Sequence, residues 1–218
     1  MKVLTTLSLL VTCGLATAWR SRQRCLCTSD QSCWPNASEF SQLQTQVSQP
    51  LIYPSPTASA CYPTSDPSGN CTEVIEQRTN GTWRSSMPGS MEAPNLETFM
   101  FKNGTIDACY PNTTITGTCG QGMVPVIGVD ARSVADIQAA VNFAVKHNLK
   151  LVVKNTGAAR GSFVVWTHNM KNITFNPTFV AQGAPENETY DAVTLGAGVQ
   201  WGEAYAAVNQ SGRTIVGG

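Results

Sequence analysis

Cysteines stop at position 119. Eight occur in the 218 residues, and none follows Cys119. A chain divided this way has to hold itself together by two means: cross-links in a turn-rich front part and apolar burial in a back part that has none. The front part opens with Lys2. An apolar run from Val3 to Leu15 follows, broken only by small or hydroxyl residues, and then Ala16-Thr17-Ala18. This order of charge, apolar stretch and small-x-small site predicts a secretory signal peptide over residues 1–18, with cleavage before Trp19. The run is shorter than the ~20 apolar residues that cross a bilayer, and no later stretch reaches that length, so no membrane partner is expected.

An exported chain is expected to use its cysteines for disulfides rather than for metal. Cys25-Leu26-Cys27 has no histidine near it, and no His/Cys/Asp/Glu cluster shows zinc spacing. Cleavage removes Cys13 and leaves Cys25, Cys27, Cys33, Cys61, Cys71, Cys109 and Cys119. The number is odd, so one cysteine stays unpaired or forms an intermolecular disulfide. Cys61 with Cys71, and Cys109 with Cys119, each enclose a short loop rich in Pro, Gly and Asn. Those local pairings are eligible, but spacing does not fix them.

Export also gives meaning to the sequons. Asn36, Asn70, Asn80, Asn103, Asn112, Asn172, Asn187 and Asn209 each begin an N-x-Ser/Thr triplet; Asn176 is excluded by Pro177. They predict a secreted glycoprotein in which each occupied asparagine faces solvent. Charge is balanced at 14 basic and 14 acidic residues, and 42% of the chain is hydrophobic. That composition excludes a disordered polyelectrolyte and gives no reason to expect nucleic acid.

Residues 19–120 read as a Cys- and Pro-rich extension. Pro50, Pro54, Pro56, Pro63 and Pro67 forbid a long helix there. One helix is expected earlier, capped by Ser38, with Phe40, Leu43 and Val47 on one face. Phe99 to Thr105 reads as a strand entering an Asn-Gly turn. Residues 121–218 have clearer periodicity. Val124–Val129 is a short strand, and Ser133 with Asp136 forms a capping-box-like start to a helix. Val134, Ile137, Val141, Ala144 and Val145 are expected on its core face, and His147 on the surface at its end. Leu149–Val153 is a buried-type strand, completing a strand–helix–strand crossover. Phe163–Thr167, Ile173–Phe175 and Ala192–Leu195 are further strands. A helix runs through Ala206 and closes at Gly212, and Thr214–Val216 starts a last strand of an unfinished sheet.

Chemistry has few places to sit. His147 and His168 are the only histidines, and neither GxSxG nor GxGxxG occurs, so no catalytic residue is assigned. Lys154-Asn155-Thr156-Gly157 follows a strand, and Gly196-Ala197-Gly198 follows another. Glycine at a strand end lets backbone N–H groups approach an anion. The two turns are either ordinary turns or the two sides of a dinucleotide site.

Several segments together resemble one family. They are Pro125–Ser133, Leu151–Gly157, Gln31–Pro35, Ser48–Leu51 through Ala60–Pro63, Ala159–His168 and Leu195–Trp201. Across essentially the whole mature chain, they resemble the fungal FAD-linked oxidoreductases of the vanillyl-alcohol oxidase and berberine-bridge enzyme superfamily. The similarity is greatest to the secreted, oxygen-dependent, isoamyl-alcohol-oxidase-like members. The resemblance implies an α+β fold, a PCMH-type FAD-binding domain of which only the N-terminal part is present, behind the disulfide-rich extension and without the substrate domain. It implies FAD as cofactor, with Lys154, Asn155, Thr156, Gly157, Gly196, Ala197 and Gly198 as candidate contacts. It also implies, for full-length relatives, hydride transfer from a small organic alcohol, amine or secondary-metabolite intermediate to FAD and then to O2.

The chain departs from that pattern after Gly157. Family members place there a flavin-linking histidine and a Gly-Arg-Ser run, about eight residues that wrap the pyrophosphate. Here Ala158-Ala159-Arg160-Gly161-Ser162 follows at once. Relatives also continue past a Gly-Gly like Gly217-Gly218. The expectation is a polypeptide without turnover and without retained flavin, the alternative being a small secreted glycoprotein with a non-enzymatic binding role.

Overall fold

The computed structural model describes residues 25–217 apart from Asp66 and Glu186. The expected signal peptide over residues 1–18 lies outside the described residues. In chain order the elements are α1 (Ala37–Gln44), β1 (Leu51–Ile52), α2 (Cys71–Gln77), α3 (Gly81–Ser85), β2 (Phe99–Met100), β3 (Ile106–Asp107), β4 (Ile127–Asp130), α4 (Val134–Lys146), β5 (Leu151–Lys154), β6 (Phe163–Trp166), β7 (Ile173–Phe179), β8 (Tyr190–Leu195) and α5 (Trp201–Gln210). The fold is mixed α+β, as expected.

Four strands form one sheet in the order β1-β4-β6-β5. β6 runs parallel to both β4 and β5, and β1 is antiparallel to β4. The β4–α4–β5 crossover is present, but its two strands are not neighbours. β6 enters between them, pairing Phe163 with both Ile127 and Leu151. Its four residues, Phe-Val-Val-Trp, are all buried, so it takes the central position, where both faces and both edges are covered. β5, expected to be buried, lies at the rim with Val153 exposed. Its outer side meets the segment at Cys27, whose N–H donates to Asn148 and whose C=O accepts from Lys150.

α4 starts at the expected Ser133–Asp136 box, but its face is rotated from the expected one. Ala144 is buried and Ile137 packs on the core as expected, but Val134 and Val145 are exposed, and Asp136, Ala140 and Phe143 are buried instead. Asp136 sets the rotation. Its carboxylate accepts from the Ser133 hydroxyl at 2.8 Å and from the N–H and hydroxyl of Ser48 at 2.7 and 2.9 Å, so it must face the chain entering β1. Burial pushes the Asp136 carboxyl up, but these donors and the Arg132 N–H outweigh it and hold it down at about 2. The cap of α1 is Asn36, with Glu39 closing a capping box, not the expected Ser38: the Asn36 side-chain Oδ1 accepts from the N–H groups of Ser38 and Glu39.

The main core gathers Phe40 and Leu43 of α1, Leu51, Ile127, Val129, Ala140, Phe143, Phe163 and Val165. Phe143 is the aromatic hub, 5.3 Å from Phe40 and 5.7 Å from Phe163. Residues before and after position 120 therefore share one core, and the composition change there is not a packing boundary. Turns and cross-links set the composition of the middle of the chain, but α1 and β1 carry apolar faces that the sheet needs.

A smaller cluster holds Ala58, Cys61, Tyr62, Val74 and Cys109. The disulfides are Cys27–Cys33, Cys61–Cys71 and Cys109–Cys119; Cys25 is exposed and free. The expected strand and Asn-Gly turn are present, turning at Gly104 with φ +84°, and β3 completes a hairpin with β2. β7 and β8 make a separate antiparallel pair with an irregularity between Asn176 and Phe179, where Pro177 cannot donate to the ladder. α5 extends beyond the expected Ala206 to Gln210, and Gly212 at φ +71° ends it. Thr214–Val216 forms no strand. That segment turns back on α5, with the Arg213 N–H on the Val208 carbonyl and the Tyr205 hydroxyl on the Gly217 carbonyl.

Candidate functional site

The carboxyl ends of β4, β5 and β6 face one edge of the sheet, the place where open sheets with parallel strands carry ligands. Both glycine turns meet there. The Thr167 N–H donates to the Lys154 carbonyl at 2.9 Å. The Thr167 hydroxyl lies 3.3 Å from that carbonyl and 3.1 Å from the Ala197 carbonyl. Thr167 thus joins the end of β5 to the turn after β8.

The predicted residues play different parts. Gly157 faces open space. Gly196 and Gly198 are packing glycines: a Cβ on Gly196 would lie 2.2 Å from the Met170 carbonyl, and one on Gly198 would lie 2.2 Å from that of Thr167. Their N–H groups donate to Asn172 at 2.7 Å and Met170 at 3.0 Å, so these two amides are already engaged within the chain. The reason is local. The chain between β6 and β7 passes directly beneath the turn and offers carbonyls at donor distance.

Lys154 points inward. It is 1% exposed, and its Nζ has one hydrogen-bond acceptor, the Asn155 carbonyl at 3.4 Å. Burial lowers its pKa to about 8, opposed by the charge of Glu97 and reinforced by that of Arg84. Glu97 and Arg84 form a buried ion pair. Glu97 also accepts from the Met91 N–H at 2.9 Å, and Arg84 Nε donates to the Met91 carbonyl at 2.9 Å. Burial pushes the Glu97 carboxyl up, against the pull of the Met91 N–H and of Arg84.

His168 lies at the edge. Its ring stacks on Trp166 at 5.4 Å and 11°. Burial first, and then the neighbouring Lys171, lower its pKa, with Glu203 opposing. Lys171 donates to the Gly198 carbonyl and to Glu203, both at 2.7 Å. Asp130 accepts from Asn169 at 2.9 Å and from Arg132 at 2.6 and 3.0 Å. Four buried polar atoms at this edge have no partner: Asn155 Oδ1, Trp166 Nε1, His168 Nδ1 and Gln200 Nε2. A fifth, His147 Nε2, lies on α4's far end. His147 itself is not on the surface as expected; it packs on Phe143 at 4.5 Å and faces Glu39 at 3.7 Å.

Residues 155–162 join two parallel neighbours, a connection that ordinarily takes a dozen residues or more. Gly161 at φ +67° turns the chain, and several contacts pin it. Arg160 pairs with Asp107, donates to the Gly122 carbonyl at 2.8 Å, and lies 4.7 Å over Phe99 and 5.2 Å over Phe101. Lys150 Nζ donates to the Arg160 carbonyl at 2.9 Å, and the Ser29 N–H to that of Gly161 at 3.1 Å. The segment is drawn back under the sheet, away from the edge.

This architecture has counterparts. The crystal structure of the VAO-type flavoprotein MtVAO615 from Myceliophthora thermophila C1 matches it with a TM-score of 0.72 at 29% identity, over 89% of this chain and 35% of that one. An uncharacterized FAD-linked oxidoreductase of Arthroderma benhamiae is 38% identical over 201 residues, which are 88% of this chain and 34% of that protein. The FAD-linked oxidoreductase malF of Malbranchea aurantiaca is 32% identical over 229 residues, covering 100% of this chain and 38% of that protein. The chain belongs to the fungal FAD-linked oxidoreductases of the VAO superfamily. No family model matches it. It spans about a third of the length of these relatives.

The edge is built from more residues than the sequence motifs announced. His168 carried a signal, as one of two histidines just after an apolar strand. Trp166 and Gln200 carried none, because each looks like an ordinary strand or cap residue until Thr167 joins the end of β6 to the turn before α5. The eight sequon asparagines are all exposed, Asn209 at the end of α5 among them. Among the described residues no group of three or more His, Cys, Asp or Glu could hold a metal, and no helix is long and apolar enough to cross a membrane.

Proposed function

We propose that the C-terminal sheet edge is one wall of an FAD site, and that it takes the cofactor reversibly and without a covalent bond. Four buried polar atoms without partners, gathered at the edge between the two glycine turns, carry this reading. The fit is partial. Asn155, Thr156 and Gly157 are the side that can approach a ligand, because Gly157 faces open space. Gly196, Ala197 and Gly198 act by close packing on Thr167 and His168, with the N–H groups of the two glycines already engaged. Lys154 supplies its backbone rather than its buried charge. Ala158 offers no nucleophile for a flavin bond.

Asn155, Thr156 and Gly157 would hold FAD from one side, and the cofactor would supply the hydride and electron transfer that the family resemblance implies for full-length relatives. In that reaction the residues of this chain bind and orient; none is assigned a proton or a substrate contact. The 218-residue polypeptide is therefore expected to show no turnover. The domain division into an extension over 19–120 and a partial FAD-binding domain over 121–218 belongs to this reading as a division of labour, the first part supporting and the second contacting the cofactor. Three disulfides and eight exposed sequons support a secreted glycoprotein, with Cys25 available for an intermolecular disulfide.

The test is a titration of the purified chain with FAD, followed by flavin fluorescence. Saturable quenching is expected, and acid precipitation should leave all of the flavin in solution. Absence of saturable binding at millimolar FAD would overturn the proposal, and flavin in the acid pellet would overturn its non-covalent part.

A further inference from the structure

Far from the sheet edge, Asn112 stands in the wall of a groove of about 590 Å³, within the size range of ligand pockets. One side is Ile75 and Arg78 at the end of α2. The other is Tyr110, Pro111 and Ile115, in the loop that the Cys109–Cys119 disulfide closes. The apolar lining is left open to water: Ile75 is 44% exposed and Ile115 61%. Two isoleucines on opposite walls of a formed groove offer apolar area that an occupant would bury.

The wall is held in shape within the chain. The Tyr110 hydroxyl lies 3.2 Å from that of Thr98, and the Tyr62 hydroxyl donates to the Tyr110 carbonyl at 3.0 Å. The Ile115 N–H donates to the Asn112 carbonyl at 3.2 Å, and the Gly117 N–H to that of Thr113 at 3.0 Å. The Asn112 side chain is oriented as well. The Thr114 N–H donates to its Oδ1 at 3.2 Å and the Thr114 hydroxyl at 2.8 Å. A backbone N–H can only donate, so the atom it meets is the amide oxygen. The other atom, Nδ2, donates to no group among the described residues. Other sequons differ. The Nδ2 atoms of Asn70, Asn80 and Asn172 donate to Glu73 at 3.3 Å, Gln77 at 2.8 Å and Thr174 at 3.1 Å.

Resting on the secreted-glycoprotein reading above, we infer that this groove seats the N-glycan of Asn112, whose first sugar residues lie on Ile75, Tyr110 and Ile115. The modification joins Nδ2 to C1 of the first N-acetylglucosamine. The donor, a lipid-pyrophosphate-linked oligosaccharide, releases its lipid pyrophosphate. Nδ2 gives up one proton, and nothing is oxidised or reduced. The sugar suits the wall. Its ring has an apolar C–H face and its acetamide ends in a methyl group, which match the isoleucines and the Tyr110 ring. Arg78, which donates to the Ile75 carbonyl at 2.6 Å, has further N–H groups for sugar oxygens. Tethering decides the occupant: a glycan on Asn112 is attached at the wall, so its local concentration exceeds that of any free ligand.

The experiment uses the chain secreted by a fungal host. Glycopeptide mass spectrometry reads each sequon, and Asn112 is expected to be modified. Native digestion with an amidase that cuts the Asn–sugar bond then compares sites. Release at Asn112 is expected to be about tenfold slower than at Asn209, which is exposed at the end of α5. Ile75→Ala should remove that protection. Thermal unfolding gives an independent reading. Ile75→Ala is expected to lower the melting temperature of the glycosylated chain by about 2–4 °C. In a Thr114→Ala or Asn112→Gln background, which carries no sugar at 112, the same replacement of a part-exposed side chain should shift it by under about 1 °C.

Equal release rates at Asn112 and Asn209 would overturn the inference, and so would an equal effect of Ile75→Ala in both backgrounds. An unmodified Asn112 in a chain glycosylated at other sequons would overturn the inference and leave the glycoprotein reading standing. A chain without sugar at any sequon would overturn both.

Discussion

Two parts of this molecule are stabilised by different physics. The sheet with α1 and α4 encloses an apolar core in which three phenylalanines meet at 5.3–6.3 Å. The chain from Tyr53 to Gly122 buries a small cluster of five residues, two of them half-cystines. It adds the disulfides Cys61–Cys71 and Cys109–Cys119 and the buried Arg84–Glu97 pair. The first part depends chiefly on volume and carries one disulfide, Cys27–Cys33, whose Cys27 packs in the main core. The second depends on covalent and charged links and has little volume to lose. The difference teaches that the middle of the chain could not reach stability by burial alone, because its prolines and turns leave no extended apolar face.

The sharpest way to break the first part is Phe163→Ala. Phe163 is fully buried in the central strand, and the loss should be about 3–5 kcal/mol, read by denaturant unfolding. A loss under 1 kcal/mol would mean that the core collapses to fill the space. In the second part Glu97→Gln should cost about 3 kcal/mol. It leaves the Arg84 charge buried without a counter-charge, although the new amide can still accept from the Met91 N–H. Replacing Cys61 and Cys71 together by alanine should cost about 2–3 kcal/mol. Reduction opens Cys27–Cys33 and Cys109–Cys119 as well, so it should cost the parent more than that double replacement does.

The smallest effect has the opposite sign. Lys154 reaches from the rim of the sheet into the second part, where its charge is buried beside Glu97 and Arg84. A lysine whose folded pKa is lowered binds fewer protons folded than unfolded. Its cost is fully present below about 8 and is relieved as pH rises towards the ordinary 10.5. Lys154→Met should therefore gain about 1 kcal/mol at neutral pH, and the gain should shrink between those two values. A loss at neutral pH would show the ammonium to be a productive third member of the Arg84–Glu97 pair.

Much of the sheet was legible because strands and helices announce themselves locally. Ser133 and Asp136 began α4 as read, Gly212 ended α5, and Asn103-Gly104 turned the β2–β3 hairpin. The errors share a cause. The face of α4, the place of β5 and the fate of Thr214–Val216 depend on neighbours distant in sequence: Ser48 turns the helix, β6 displaces β5 to the rim, and α5 engages the last residues.

At the edge, the local order of residues showed that two glycine turns follow two strands and that Ala158 comes directly after Gly157. Which amides remain free could be decided only in three dimensions, since the groups that engage Gly196 and Gly198 come from Asn172 and Met170. The sequence by itself determined the elements, the cysteine-rich front and the family, because these rest on periodicity, spacing and residue type. The tertiary structure alone decided the inward turn of Lys154, the meeting of the two turns at Thr167 and the gathering of four unpartnered atoms. Pairing and burial arise between segments, and no single segment encodes them.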